Sequence, residues 1–334
     1  MRPSLRFLLA LSLAGVAARA GEAPRKAFGG TERFVEVEPE VRLQVLDFGG
    51  AGRTLVLLAG LGGHAKDFDR LASKLAASCH VYAVTRRGFE PSSIPASGYD
   101  ADRLGDDVLA VIAALKLDRP VLVGHSLAGE ELSSVGTRHP EKVAALIYLD
   151  AGYPYALYDQ ERGELMIDAN VLRGELDRLD SVTDPAEFRD LLAALSADSA
   201  QFARDVAARR ARDRSLPPPM ASAGPARAVA PQIKAIIQGE RRYGPVTAVP
   251  VLAIFAYPHA SGQAAMTPAM RAAFEAYDRD TNGAQIDAFA RANPKARVVR
   301  IPRADHAVFR SNEADVLREM NAFIAALPGD QPAR

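Results

Sequence analysis

Four short, nearly continuous apolar runs constrain the fold of this chain more than any other feature: "TLVLLAG" (54–60), "HVYAVT" (80–85), "PVLVGH" (120–125) and "VAALIYLD" (143–150). A strand with one wet face alternates apolar and polar residues, whereas an unbroken apolar run of this length suits a strand covered on both faces. Between the runs lie "AKDFDRLASKLAAS", "ADRLGDDVLAVIAALKL" and "LAGEELSSVGTRH", where apolar residues recur at three- and four-residue spacing, the period of a helix. Strand and helix alternate, so the expected class is α/β, with a mostly parallel central sheet and flanking helices. Upstream, "RFVEVE" and "VRLQVLDF" alternate partially about Pro39 and Glu40 and read as an antiparallel hairpin.

The alternation stops after Tyr153. Residues 154–248 are rich in Leu, Ala, Arg, Asp and Glu, with a proline break at "LPPPM" (216–220), and read as a helical insertion. Within it, "ARRARDR" (207–213) suits a solvated helix face, since arginine outnumbers lysine throughout the chain. The buried-strand signal returns at "VPVLAIFA" (249–256), followed by a helical segment through 287–292, the strand "ARVVRIP" (296–302) and a closing helix from about Asn312 to Leu327. The expected organisation is a first core part (21–153), an inserted helical unit (154–248) and a second core part (249–334).

The first twenty residues, "MRPSLRFLLALSLAGVAARA", combine Arg2 and Arg6, an apolar stretch from Phe7 to Ala18 and a small-residue site ending at Ala20. This pattern reads as a cleavable export signal, which places the mature protein in a secreted or periplasmic compartment. The apolar stretch is short of the ~20 residues that span a bilayer, so no stable membrane anchor is expected. Its three arginines have no acidic counterpart, so the remainder of a chain balanced at 41 basic and 41 acidic residues is slightly acidic. That balance points away from nucleic-acid partners. Cys79 is the single cysteine, so export brings no internal disulfide, and the residue reads as a small apolar packing group.

A lone serine follows the third apolar run in "Gly124-His125-Ser126-Leu127-Ala128-Gly129". The order approximates G-x-S-x-G, with Ala128 at the second glycine position and Gly129 one place late. Small flanking residues permit a sharp strand-to-helix turn that lifts the hydroxyl above the sheet. By itself the motif is a weak signal. In context the chain resembles the α/β-hydrolase superfamily, whose members carry a nucleophile at such an elbow and, in many cases, a helical cap inserted between core strands. The resemblance extends over almost the whole chain after residue 20.

That resemblance assigns further positions. "LLAGLGGH" (57–64) corresponds to a glycine-rich turn that supplies one oxyanion-hole amide, implying Leu61 alongside Leu127. "TRRGFEPSS" (85–93) resembles the stretch after the next strand, with Thr85 where an aspartate is common. Of six histidines, His306 in "IPRADHAVF" follows the last strand and matches the base by chain order. The acid usually follows the strand "VPVLAIFA", yet no Asp or Glu occurs from Pro250 to Phe274. Asp150, at the end of the strand after the nucleophile, is the alternative position, although a strand-end aspartate also serves as a turn cap. Glu275, Asp278 and Asp280 read as helix-surface charges, and Asp305 adjoins His306 with a side chain expected to diverge. Glu130 and Glu131 suit a solvated helix start, with a substrate amine as a secondary role. His125 reads as a packing residue, His80 and His139 as strand-edge or surface residues, and His64 and His259 as pocket candidates.

The implied activity is that of a serine hydrolase with a Ser126-His306-Asp150 triad and an acyl-enzyme intermediate, acting on a carboxylic ester or similar small acyl substrate. Amidase or aminopeptidase, lactonase and perhydrolase chemistry can use the same constellation, and a binding protein that kept the fold without catalysis is the reading from another class. "GLGGH" lacks the dinucleotide fingerprint and no metal-ligand spacing stands out, so no cofactor and no metal are expected. Oligomeric state is left open.

Overall fold

The structure is a computed structural model that describes residues 25–27, 29–215, 229–260 and 267–329. Residues 1–20, read from sequence as an export signal, and "LPPPM" lie outside the described residues. Among the described residues, nine strands form one sheet: β1 (Arg25–Ala27), β2 (Gly30–Glu38), β3 (Val41–Gly49), β4 (Arg53–Leu58), β5 (Cys79–Val84), β6 (Val121–His125), β7 (Ala145–Leu149), β8 (Val251–Ala256) and β9 (Arg297–Ile301). Their spatial order is β1-β2-β3-β5-β4-β6-β7-β8-β9. The pairings from β1 to β5 across β2 and β3 are antiparallel, and those from β5 onward are parallel. The expected α/β class and the antiparallel hairpin are therefore what the chain adopts, and Glu40 turns that hairpin at φ +67°.

The apolar runs are continuous because both faces of the sheet are covered. Leu55 and Leu57 of β4 point to one layer, with Val81, Val121, Val123 and Ile147, under Leu71 and Leu75 of α1 (Asp69–Leu75). Val56 and Leu58 point to the other, with Leu122, Leu146 and Tyr148. That layer is closed by Val108 and Val111 of α2 (Ala101–Ala114) and by Leu132 and Val135 of α3 (Ala128–Arg138). Each fully buried aliphatic side chain contributes roughly 1.5–3 kcal/mol from removal of apolar area from water. Cys79 is buried in the first layer, as its reading as a packing residue anticipates.

Among the described residues, three helices lie between β7 and β8: α4 (Leu165–Arg178), α5 (Pro185–Ser215) and α6 (Pro231–Gly239). A partly buried ionic hub centred on Arg242, just after α6, ties α4 to α5. Tyr158 donates to Asp168 of α4 at 2.8 Å, and Arg242 reaches Asp168 at 2.8 Å and Asp198 of α5 at 2.6 Å. Ile236 of α6 is fully buried with Leu127, Phe89, Tyr99 and Leu104, so the segment packs directly above the start of α3. The chain ends with α7 (Pro268–Asp278), α8 (Ala284–Ala292), a short α9 (Val308–Ser311) and α10 (Glu313–Ala326). No helix among the described residues is long and apolar enough to cross a membrane.

Candidate active site

Three strand ends converge: Ser126 follows β6, Asp150 follows β7 and His306 follows β9. Two of these residues occupy left-handed backbone, Ser126 at φ +53° and Asp150 at φ +48°, which costs a non-glycine residue on the order of 1–2 kcal/mol. Each turn is pinned to the neighbouring strand. The Ser126 amide donates to Leu149 O at 3.3 Å, and the Asp150 amide donates to Ile254 O at 2.7 Å.

The neighbouring glycines have distinct causes. A Cβ on Gly124 would stand 2.9 Å from Leu132 Cδ1 and 3.0 Å from Ala128 O, so the entry to the elbow has no room for a side chain. Ala128, at the second motif position, fits as a fully buried methyl. Gly129 answers a different demand: any Cβ there would overlap the Ala151 carbonyl oxygen, where α3 passes the turn after β7.

The side chains meet in a line. Ser126 Oγ lies 2.8 Å from His306 Nε2, and His306 Nδ1 lies 2.7 Å from Asp150 Oδ2. The second oxygen of Asp150 accepts the Ala256 amide at 3.0 Å. Asp150 is fully buried, whereas the His306 side chain is 47% exposed, so the buried carboxylate orients an imidazole that is open to a small pocket. That pocket has a volume of about 160 Å³, and its lining includes Leu61, Phe68, Ser126, His306 and Phe309. Burial pushes the Asp150 carboxyl up, but hydrogen bonds from His259 and His306 and their charges outweigh it and hold the group below the ordinary carboxylate range.

Leu61 lines the pocket with Ser126, Leu127 is the next residue after Ser126, and neither backbone N–H has a backbone acceptor among the described residues. The turn bearing Leu61 is clamped from below. Buried Arg86 donates to Ala59 O at 2.9 Å and Gly60 O at 3.2 Å while pairing with Glu131 at 2.5 Å. Glu131 therefore does not occupy the solvated helix end that its position suggests, because the helix start is covered by the Arg86 segment and the inserted helices. Glu130 is also fully buried, and burial together with the charge of Glu240 pushes its carboxyl well above the ordinary range.

The largest correction concerns the strand end after β8. His259, expected only as a pocket candidate, sends Nε2 to Asp150 Oδ2 at 3.1 Å and Nδ1 to Asp278 Oδ1 at 2.9 Å. Asp278 is not a helix-surface charge. It is 1% exposed, accepts the His259 backbone N–H at 3.0 Å and takes a further hydrogen bond from Asn282 at 2.7 Å. Burial works against charge on His259, yet its hydrogen bonds to the two carboxylates and their charges push it up to about 9. The absence of an acid between Pro250 and Phe274 was the only sequence signal that this strand end differs from the family pattern.

Other groups complete the surroundings. His125 packs 5.0 Å from the Phe309 ring and 4.8 Å from His306, and its Nε2 meets His306 O at 3.0 Å. Burial and the neighbouring His306 push it down to about 4, consistent with a neutral packing residue. His80 pairs with Asp47, His139 stays partly exposed, and His64 caps a short turn, outside the residues lining the small pocket. Sequence reasoning missed two tyrosines. The Tyr153 hydroxyl stands 3.3 Å from His259 Nε2, and the hydroxyl of the partly buried Tyr155 faces Ser126. Ligand atoms of Asp150, His259 and His306 all lie within 4.8 Å of one another, a spacing a metal ion could share, but hydrogen bonds among the three already use those atoms.

The mostly parallel sheet with flanking helices agrees with the comparisons to known proteins. A family model described as "Alpha/beta hydrolase family" matches residues 55–319, and the chain belongs to that family. It is 32% identical over 144 residues to the AB hydrolase superfamily protein YisY of Bacillus subtilis (strain 168), covering 40% of this chain and 53% of that one. It is 28% identical over 101 residues to 2-(acetamidomethylene)succinate hydrolase of Mesorhizobium japonicum, covering 30% of this chain and 36% of that protein. The chain thus spans about half or less of the length of these relatives. In structure it resembles the bromoperoxidase from Bacillus anthracis, with a TM-score of 0.54 at 17% identity over 88% of this chain and 99% of the other, a likeness of fold.

Proposed function

We propose that the protein is a serine hydrolase that cleaves a carboxylic ester or similar small acyl compound through an acyl-enzyme. The observation that carries this reading is the unbroken contact from Ser126 Oγ through both ring nitrogens of His306 to a buried Asp150. His306 Nε2 takes the Ser126 proton as Oγ attacks the carbonyl carbon, and Asp150 holds Nδ1–H so that Nε2 is free to do so. The developing oxyanion is met by the Leu61 and Leu127 amides, whose loss would cost roughly 3–4 kcal/mol per donor. His306 returns the proton to the leaving alcohol, and water attacks the acyl group by the same route to release the acid and restore the serine.

The small, aromatic-lined pocket supports short acyl groups. Residues 154–248 act as a cap that selects substrate, a reading supported by the packing of Ile236 over Leu127. Residues 1–20 act as an export signal, supported by their basic start, apolar middle and small-residue end. Hydrolysis of a p-nitrophenyl ester series from acetate to decanoate tests the activity. Turnover should fall with acyl length and vanish in Ser126→Ala; no turnover above that variant for any ester would remove the ester reading.

A further inference from the structure

We propose that His259 and Asp278 form a second, fixed ion pair that positions Asp150, so that the catalytic line continues as Ser126-His306-Asp150-His259-Asp278. This rests on the serine-hydrolase reading of the site. Asp150 Oδ2 accepts from two imidazoles, His306 Nδ1 at 2.7 Å and His259 Nε2 at 3.1 Å. A single oxygen shared this way is constrained from both sides, and its partner oxygen is held by the Ala256 amide at 3.0 Å. The carboxylate has no freedom to rotate away from His306.

Both ring nitrogens of His259 face carboxylate oxygens. A neutral imidazole has one N–H, so either tautomer would turn a lone pair toward a buried carboxylate, and only the imidazolium satisfies both. The groups facing this ring among the described residues include Asp150 and Tyr153 after β7, Asp278 at the end of α7 and, through Asp150, His306 after β9. Charge explains why Asp278 is needed. Asp150 paired with a cationic His259 alone would be neutral and would lose its hold on a His306 imidazolium. Asp278 restores one net negative charge, the same as an isolated triad aspartate. His259 stands at the strand end where the family pattern leads one to expect the acid, and here it supports an acid moved one strand away.

His259 is a positioning residue, and its effect should appear in kcat and its pH dependence. With p-nitrophenyl butyrate, His259→Gln keeps a donor toward Asp150 but loses the charge. We expect kcat to fall roughly 10- to 100-fold, the rate equivalent of one charge-assisted hydrogen bond, with little change in KM. The wild-type kcat should decline as pH rises through about 9, where His259 loses its proton. His259→Gln should lack that decline, and Asp278→Asn should move it to lower pH. Wild-type kcat and an unchanged alkaline limb in both variants would overturn the proposal.

A second measurement does not depend on variants or turnover. In the full-length protein with ¹⁵N-labelled histidine, the His259 ring should remain doubly protonated at pH 8. A neutral His259 ring at that pH would overturn the proposal. Failure of the hydrolase reading would be distinct: Ser126 would be unreactive toward a fluorophosphonate while the doubly protonated ring remained.

Discussion

His306 Nδ1 meets Asp150 Oδ2 at 2.7 Å across 156 residues of chain, a contact that exists because β7 and β9 run parallel and end on the same side of the sheet. Replacing Asp150 with asparagine keeps the shape but presents an amide to a ring that needs an acceptor. We expect kcat for p-nitrophenyl butyrate to fall about 10³- to 10⁴-fold with the fold intact by circular dichroism. Near-wild-type turnover would show that another acid serves His306.

The Arg86 clamp gives a separate prediction. Arg86 and Glu131 are 5% and 3% exposed, so Glu131→Gln leaves a buried guanidinium without its counter-charge. Destabilisation of about 3–5 kcal/mol in urea unfolding is expected, with lowered kcat because the turn carrying Leu61 loses its support. An unchanged midpoint would mean that the pair is not buried in solution.

Glycines in two helices should respond in opposite directions. A methyl group on Gly174 in α4 would meet no atom within 4 Å, so Gly174→Ala should stabilise by roughly 0.5–1 kcal/mol. Gly129→Ala would collide with the Ala151 carbonyl and should destabilise by about 1–3 kcal/mol. Thermal midpoints of the two variants against wild type check the sign.

Stability should also depend on His259. Its folded value of about 9 lies above the ~6.5 of a free histidine, so the folded state binds this proton more tightly. The resulting stabilisation is fully present below about pH 6.5 and is lost as pH rises through about 9. The gap in thermal midpoint between wild type and His259→Gln should therefore be widest near neutral or lower pH and narrow toward pH 10. A gap that is constant across this range would contradict the assignment of the charge.

The parallel core was legible because burial on both faces leaves a local signature, an unbroken apolar run such as Leu55 to Leu58. The elbow was legible because Gly124 and Ala128 answer local crowding. Gly129 was not, since its cause is the carbonyl of Ala151, a contact made only when α3 meets the turn after β7. Asp278 and Glu131 misled for the same reason. A charge on a helix reads as solvated until a distant partner, His259 or Arg86, is folded against it.

The reactivity of Ser126 is the direct test of the central claim. Purified protein treated with a fluorophosphonate at neutral pH should gain one adduct, located by tandem mass spectrometry on Ser126, and His306→Ala should abolish it. A folded wild-type protein that carries no label on Ser126 would contradict the account.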